Sequence, residues 1–387
     1  MLTSSDDIVT LTQDKTMYSE INGLAEVKRI PLTNPADHSK SIFSSIMPRK
    51  SGFFQRWISA FFYIPDIRIK WLEPLKQALM EELARQEYDC LLITSPPYSL
   101  AMIASQLTME LSIPIILDMR DPWTSNPYKI HPTFYHYRKD LKLELTSITR
   151  IRYGVSAYQT LIRYYEKHIQ NFNPGAWTVI PNGYDEDDFN GLRKDGFNNN
   201  KFNLAFSGTF YSHINKPTPV FKALSRLAPE LREKILFHHI GNTQIDLQKM
   251  VSKFGLQDHV RLWGYLPHKT CIENLNKMDA FCFILDDKNK YSRNTIGGKV
   301  YEYLRLKKPI MALVPADGEA AELINKTKSG VVISPKDIQH ICETLKTWVK
   351  KPVDYKYSGI EAYSREKQAL QFLEVINRAC DKKPVIS

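Results

Sequence analysis

A chain of 387 residues is long enough for two domains, each with its own core. At 43% apolar and 24% charged, with no low-complexity tract and no internal period, it is not fibrous, repetitive or disordered. The formal charge of +10 points to anionic partners, but Lys and Arg are widely spread and no nucleic-acid-binding motif is present. That leaves anionic membrane surfaces and phosphorylated small molecules ahead of nucleic acid.

Five scattered cysteines, odd in number and without Cys-x-x-Cys spacing, argue for a reducing compartment and against disulfides or structural zinc. No apolar run approaches the ~20 residues that a membrane span needs. The first twenty residues are polar and mixed in charge, so no secretory signal is expected and the chain reads as cytoplasmic.

In chain order, 8–11 and 25–30 read as strands, and the proline-punctuated stretch 31–50 reads as loop. From Arg49 to Lys70, aromatic residues (Phe53, Phe54, Trp57, Phe61, Phe62) stand among basic ones (Arg49, Lys50, Arg56, Arg68, Lys70). That composition suits a membrane interface, or a core helix laid against a sheet. Helix 71–87, strand 89–94, helix 98–111, strand 113–118, helix 132–150, strand 151–155, helix 156–169 and strand 177–180 follow. Such alternation calls for an open parallel sheet with helices on both faces and ligands beyond the strands' carboxyl ends.

At one such end lies Asp118-Met-Arg120-Asp121-Pro-Trp123. Arg120 can pair with a phosphate or carboxylate, and Asp121 can take a proton or hold a sugar hydroxyl. The competing reading is an internal Asp–Arg pair. His131 and His136 read as solvated or structural. The acidic run 185–188 fits capping better than a metal, and 186–201 reads as linker.

The second half repeats the alternation, with strands at 202–207, 235–240, 260–263, 280–285, 310–314 and 330–334. Gly208, Gly241, Gly264 and Gly297 each come after a strand, where backbone can approach a ligand closely. Gly297 and Gly298 open a helix whose N-terminus offers free N–H groups to an anion. Glu302 lies one turn in, placed either to take ribose hydroxyls or to pair on the surface with Arg305. A last helix over 360–380 is long enough to cross back over the first domain. Asp286 and Asp287 are the only carboxylate pair placed to suggest a metal, and the pattern around them does not support a metal-dependent, single-domain enzyme.

Together these pieces resemble the two-domain GT-B-fold glycosyltransferases of the large retaining family 4. The resemblance rests on Ile180-Pro-Asn-Gly-Tyr-Asp185, Phe206-Ser-Gly-Thr209, Gly298-Lys-Val-Tyr-Glu302-Tyr-Leu304 with Lys308-Pro309, and Gly318 with Glu322. Pro65-Asp66 with Trp71, and 118–123, are similar to a subgroup active in bacterial surface-polysaccharide assembly. The resemblance implies an α/β chain of two Rossmann-like domains facing across a cleft: an acceptor-side domain at 1–180, to which 360–387 returns, and a nucleotide-sugar-binding domain at 181–359. It further implies a retaining, metal-independent transfer from a nucleotide diphosphate sugar, with no cofactor, to a saccharide or lipid-linked saccharide acceptor at the inner face of the plasma membrane.

Donor contacts are expected at Gly208, Thr209, Lys216, Gly264, Tyr265, Asn294, Gly297, Gly298, Lys299 and Glu302, and catalytic roles at Arg120 and Asp121. Asn294 stands where the family has the first glutamate of its signature, and the family's Lys-Gly pair is absent at Lys216. The family's His-Asp pair is Arg120-Asp121 here. Because 8–11 matches the family's second strand, its first strand and Gly-rich loop are expected to be missing. Two other functions fit: a nucleotide-sugar epimerase of the same fold, or an inactive, trimmed binding module.

Overall fold

The computed structural model describes residues 1–4, 23–30, 53–193, 195–197, 199–212, 214–351 and 353–381. The expected strand at 8–11 and the basic pair Arg49 and Lys50 lie outside the described residues. The chain divides into two units: Met1–Thr124, Lys129–Ile180 and the chain from Phe372 on make the first, Ser125–Tyr128 and Pro181–Gln371 the second.

In the first unit, β3 (Leu91–Ser95), β4 (Ile115–Met119), β5 (Tyr153–Ser156) and β6 (Trp177–Val179) form a parallel sheet in that order. Every residue of β4 is buried, as expected for a strand covered on both faces. A separate parallel pair joins β1 (Leu2–Ser4) to β2 (Lys28–Ile30), so the expected strand at 25–30 begins three residues late. The helix Arg365–Ala379 brings Val375 and Ala379 onto a core with Ile116, Val155 and Ile180.

Buried charge ties the helices of this unit to the loop after β4. Trp123, wholly buried, donates its indole N–H to Asp140 (2.7 Å), which also takes the Nε2–H of His131 (2.7 Å) and faces the Lys129 ammonium (2.5 Å). Glu144, also wholly buried, accepts from the Thr124 amide (3.0 Å), the Thr124 hydroxyl and the Tyr165 hydroxyl (3.0 Å). Burial outweighs these donors and lifts the Glu144 carboxyl to about 7. His131 is therefore structural, as its sequence context suggested.

The second unit holds a six-stranded parallel sheet in the order β12-β11-β10-β7-β8-β9. Its strands are β7 (Phe202–Ser207), β8 (Ile235–Ile240), β9 (Val260–Gly264), β10 (Ala280–Ile284), β11 (Ile310–Leu313) and β12 (Gly330–Ile333). Chain order reverses between β7 and β10, the point where open α/β sheets place their ligands. These two strands pair over only two residues, Leu204 with Ala280 and Ala205 with Phe281, and then part. From Ser207 the Tyr303 side chain replaces the missing neighbour: its hydroxyl accepts the Ser207 N–H (2.7 Å) while its ring stacks on Phe281 (4.1 Å). One side chain thus fixes the helix Lys299–Leu306 against the carboxyl end of β7. The stretch read as linker contains a short turn, Asp187–Phe189, with Phe189 buried.

Candidate active site

Where β7 and β10 part, the chain offers backbone rather than side chains. Gly208, Gly241 and Gly264, ending three adjacent strands, all have positive φ (127°, 140° and 71°). They are knitted together: Gly208 donates to Ile240 and Gly241 donates to Gly264, each at 2.8 Å. A Cβ on Gly241 would lie 2.4 Å from the Gly208 carbonyl oxygen, so no side chain fits there. The buried His239 donates its Nε2–H to that same oxygen (3.0 Å), and burial lowers its imidazole to about 4, keeping it neutral.

Gly297 differs from the other three. It follows a long loop after β10, not a strand end, and has no positive φ. A Cβ there would meet the Phe283 ring at 2.9 Å. Gly298 is the N-cap of the helix Lys299–Leu306 and brings no side chain to cap it. The first intrahelical bonds are Val300 to Gly297 and Tyr301 to Gly298, so among the described residues the N–H groups of Gly298 and Lys299 have no backbone partner. A helix end of this kind attracts an anion.

Glu302 projects one turn further on. Its Oε1 accepts from the Lys299 ammonium (2.8 Å), whereas Oε2 is buried and has no hydrogen-bond partner among the described residues. The surface pairing with Arg305 is not made: Arg305 binds Glu186 instead (2.7 Å). Burial raises the Glu302 carboxyl above its ordinary range, against the opposing pull of Lys299. Lys299 also donates to Nδ1 of His268 (3.3 Å), whose Nε2–H is held by Asp188 (2.8 Å). The relay Asp188–His268–Lys299–Glu302 therefore fixes a carboxylate oxygen beside an open helix N-terminus. Sequence reading missed Asp188 and His268, which lie 80 residues apart; the only local signal was an acidic residue in a stretch otherwise read as linker.

The other expected donor residues are less closely knit. Thr209 has its carbonyl held by the Asn215 side chain (2.9 Å), which also takes the Tyr211 N–H (2.7 Å) and so shapes the loop carrying Lys216. Lys216 itself is exposed, as is Tyr265, while Asn294 closes the short turn Lys290–Asn294 and is half-buried. Asp287 pairs with Lys336 (2.8 Å), and no metal-binding cluster occurs among the described residues.

In the first unit Arg120 is engaged internally, with Nη1 3.2 Å from Asp118 and 2.9 Å from the Ile180 carbonyl. Burial raises the carboxyls of both Asp118 and Asp121, with Arg120 pulling the other way in each. Asp66 caps the turn Ile67–Trp71 through the Arg68 N–H and takes both the N–H and hydroxyl of Ser99, at 3.0–3.1 Å. That is a structural role for a residue the resemblance had singled out.

Residues 189–367 match the family described as glycosyl transferases group 1. No curated protein matches the chain. Among solved structures, the chain is similar to HepE of Anabaena in complex with UDP (12% identity, 97% of this chain and 98% of that one, TM-score 0.63). It is also similar to the lipopolysaccharide outer core galactosyltransferase WaaB in its apo form (12%, 97% and 98%, TM-score 0.60). Sucrose-phosphate synthase from Thermosynechococcus elongatus is a third likeness (13%, 82% and 80%, TM-score 0.62). At such identities the likeness is one of fold: an α/β chain of two Rossmann-like units, the GT-B fold. The chain is a protein of GT-B fold, and its residues 189–367 match the model of the glycosyl transferases group 1 family.

Proposed function

We propose that the protein moves a sugar, with retention, from a nucleotide diphosphate sugar to a saccharide or lipid-linked saccharide acceptor in cell-surface polysaccharide biosynthesis. One observation carries the reading: a buried, unpartnered carboxylate oxygen on Glu302 stands one turn from an uncapped helix N-terminus, at the sheet's reversal point. The carboxylate takes ribose hydroxyls. The N–H groups of Gly298 and Lys299 and the glycine-ended strands receive the diphosphate, with Lys216 and Lys299 as counter-charges, so the leaving group is stabilised by fixed dipoles and ammonium groups without a resident metal. The HepE complexes with UDP and with UDP-glucose support a uridine nucleotide as the first donor to test.

In the first unit, Asp121 serves the transfer step, holding an acceptor hydroxyl, and Arg120 sets its charge environment. The acceptor reaches a membrane-facing surface. The helix Phe53–Phe62 ends in Phe61 and Phe62, 42% and 62% exposed. The His136 side chain donates to the Phe61 carbonyl (3.0 Å) and so brings them beside Phe134 and Tyr135, each more than two-thirds exposed. Arg138 stacks over Phe134 (5.2 Å). Aromatic rings flanked by cations suit an anionic bilayer surface. No helix among the described residues is long and apolar enough to cross a membrane.

The test is release of nucleotide diphosphate from UDP-glucose, GDP-mannose and ADP-glucose, with and without membrane lipid extract as acceptor source. Acceptor-dependent release supports a transferase. Release from the donor alone favours the epimerase-like alternative, and no binding of any nucleotide favours a non-catalytic module. Flotation with anionic vesicles tests the surface: the wild type floats, Phe61→Ser/Phe62→Ser does not, and a wild type that stays down at low salt removes the membrane from the reading.

A further inference from the structure

The helix Phe134–Thr149 buries three polar side chains at a four-residue spacing, His136, Asp140 and Glu144, on the stripe where packing alone would put apolar ones. His136 binds back to Thr133 (2.7 Å) and to the Phe61 carbonyl (3.0 Å). Asp140 and Glu144 both face the loop 122–131, which leaves the carboxyl end of β4. Asp140 holds it through Trp123, Lys129 and His131, and Glu144 through the amide and hydroxyl of Thr124. Among the described residues, the only other donor to either carboxylate is the Tyr165 hydroxyl, on the helix Gln159–His168. The near end of the loop, at Trp123 and Thr124, and its far end, at Lys129 and His131, are therefore gripped from one helix.

Stability alone does not ask for carboxylates here. Apolar side chains of similar volume at 140 and 144 would hold the helix at least as well, because burying a charge forfeits its hydration. What a carboxylate adds is direction, since each bond fixes both the distance and the angle of its donor. Asp121 stands immediately before this loop. On its other side the Arg120 N–H donates to the Ser95 carbonyl (2.8 Å), closing the end of β4 onto β3. On the loop side the Tyr98 hydroxyl donates to the Pro122 carbonyl (2.6 Å). The Tyr98 ring also stacks on Trp123 (5.5 Å) and carries the Lys129 ammonium 4.5 Å from its centre. The backbone of Asp121 is thus anchored at the residue before it and at the residues after it. The second anchor is only as firm as Asp140 and Glu144 make it.

We propose that Asp140 and Glu144 are positioning residues for Asp121: through Trp123, Thr124, Lys129 and His131 they fix the loop that begins after it, and so the place of its carboxylate in the transfer step. The proposal rests on the reading of Asp121 as a group that serves transfer. It assigns the clamp to turnover and leaves nucleotide binding, a property of the second unit, independent of it.

Two changes that each take one hydroxyl from Glu144 make the test, Thr124→Val inside the loop and Tyr165→Phe outside it. Asp140→Asn is a third, which keeps the side-chain shape and removes the charge. The readouts are release of UDP from UDP-glucose, with membrane lipid extract as acceptor source, and calorimetric affinity for UDP. Thr124→Val and Asp140→Asn lower kcat by about tenfold, the scale of a small misplacement of a reacting group, while KM for UDP-glucose and UDP affinity hold. Tyr165→Phe leaves kcat in place, although it costs Glu144 as many bonds as Thr124→Val does. In an Asp121→Asn background the two clamp changes cost less than about twofold, because their effect runs through a carboxylate already gone. Equal loss of kcat in Thr124→Val and Tyr165→Phe, or the full loss in the Asp121→Asn background, overturns the proposal. If Asp121→Asn turns over as wild type does, the role read for Asp121 falls and the positioning falls with it. If Asp121→Asn is slow and the clamp variants are not, the positioning alone falls. Hydrogen exchange needs no turnover: the Trp123 and Thr124 amides exchange faster in Asp140→Asn and Thr124→Val and not in Tyr165→Phe. Amides as slow as those of wild type in both clamp variants overturn the proposal.

Discussion

Replacing Glu302 by Gln keeps the shape of the side chain and removes its charge. Of the two carboxylate oxygens, Oε1 is engaged by Lys299 at 2.8 Å and Oε2 is unpartnered, so the ligand contact at stake is a charge-assisted bond through Oε2. Such a bond contributes about 1.5–3 kcal/mol, so nucleotide affinity should fall by roughly 10- to 100-fold. The folded state should lose much less. The Lys299 side chain is 35% exposed and can turn to water, which limits the Lys299–Glu302 pair to about 1 kcal/mol or less, and removing a buried charge offsets part of even that. The melting temperature should therefore move by a few degrees at most.

The variant also has a pH signature. Ribose hydroxyls donate to the ionised carboxylate, and burial holds the Glu302 carboxyl above its ordinary range. Wild-type affinity should thus weaken as pH falls towards the carboxyl's raised folded value, and Glu302→Gln should lack that decline. Titration calorimetry with UDP, GDP and ADP across pH measures both effects. If the variant binds the preferred nucleotide as tightly as wild type, Glu302 does not hold the ribose.

Three further outcomes are expected. Asp121→Asn should slow transfer by about 100-fold, the scale of one positioned proton-transfer group, with nucleotide affinity intact; unchanged turnover removes Asp121 from the reaction. Gly241→Ala forces a Cβ to within 2.4 Å of the Gly208 oxygen at a φ of 140°, so it should destabilise the second unit by about 2 kcal/mol or more and weaken nucleotide binding, read by thermal melts and calorimetry. Glu144 titrates at about 7 when folded against an ordinary 4.5, so the folded state binds the extra proton; stability from this group is full below 4.5 and is lost as pH rises through 7, by up to about 3 kcal/mol, and urea unfolding of Glu144→Gln should show a flatter decline between pH 5 and 8 than wild type.

What could be read from the sequence follows from the range of the forces involved. The strands and helices of the second unit are set by local apolar runs and glycine breaks, so β7 to β12 and the helix after Gly298 fall close to where the sequence puts them. The sheet order is not local, yet it is what puts the end of β7 next to the loop after β10. The Glu302–Arg305 pairing shows how spacing alone misleads. A separation of three residues puts two side chains on one helix face, but Glu186, 119 residues earlier in the chain, offers Arg305 a carboxylate at 2.7 Å, and Lys299 and burial claim Glu302. Asp188 and His268 were invisible for the same reason: each is ordinary in its own segment, and only the fold makes them the support for Lys299. The first unit repeats the lesson with opposite sign. Asp118-Met-Arg120-Asp121 has the composition of a reactive cluster, but the fold spends Nη1 of Arg120 on Asp118 and the Ile180 carbonyl. Asp121 then stands in the cluster as a half-buried carboxyl, raised by desolvation, with Arg120 as its opposing charge. A half-buried carboxylate facing one neighbouring charge can be replaced by its isosteric amide without repacking, whereas Arg120 also bonds Asp118 and the Ile180 carbonyl, which is why Asp121→Asn separates chemistry from structure more cleanly than any change at Arg120.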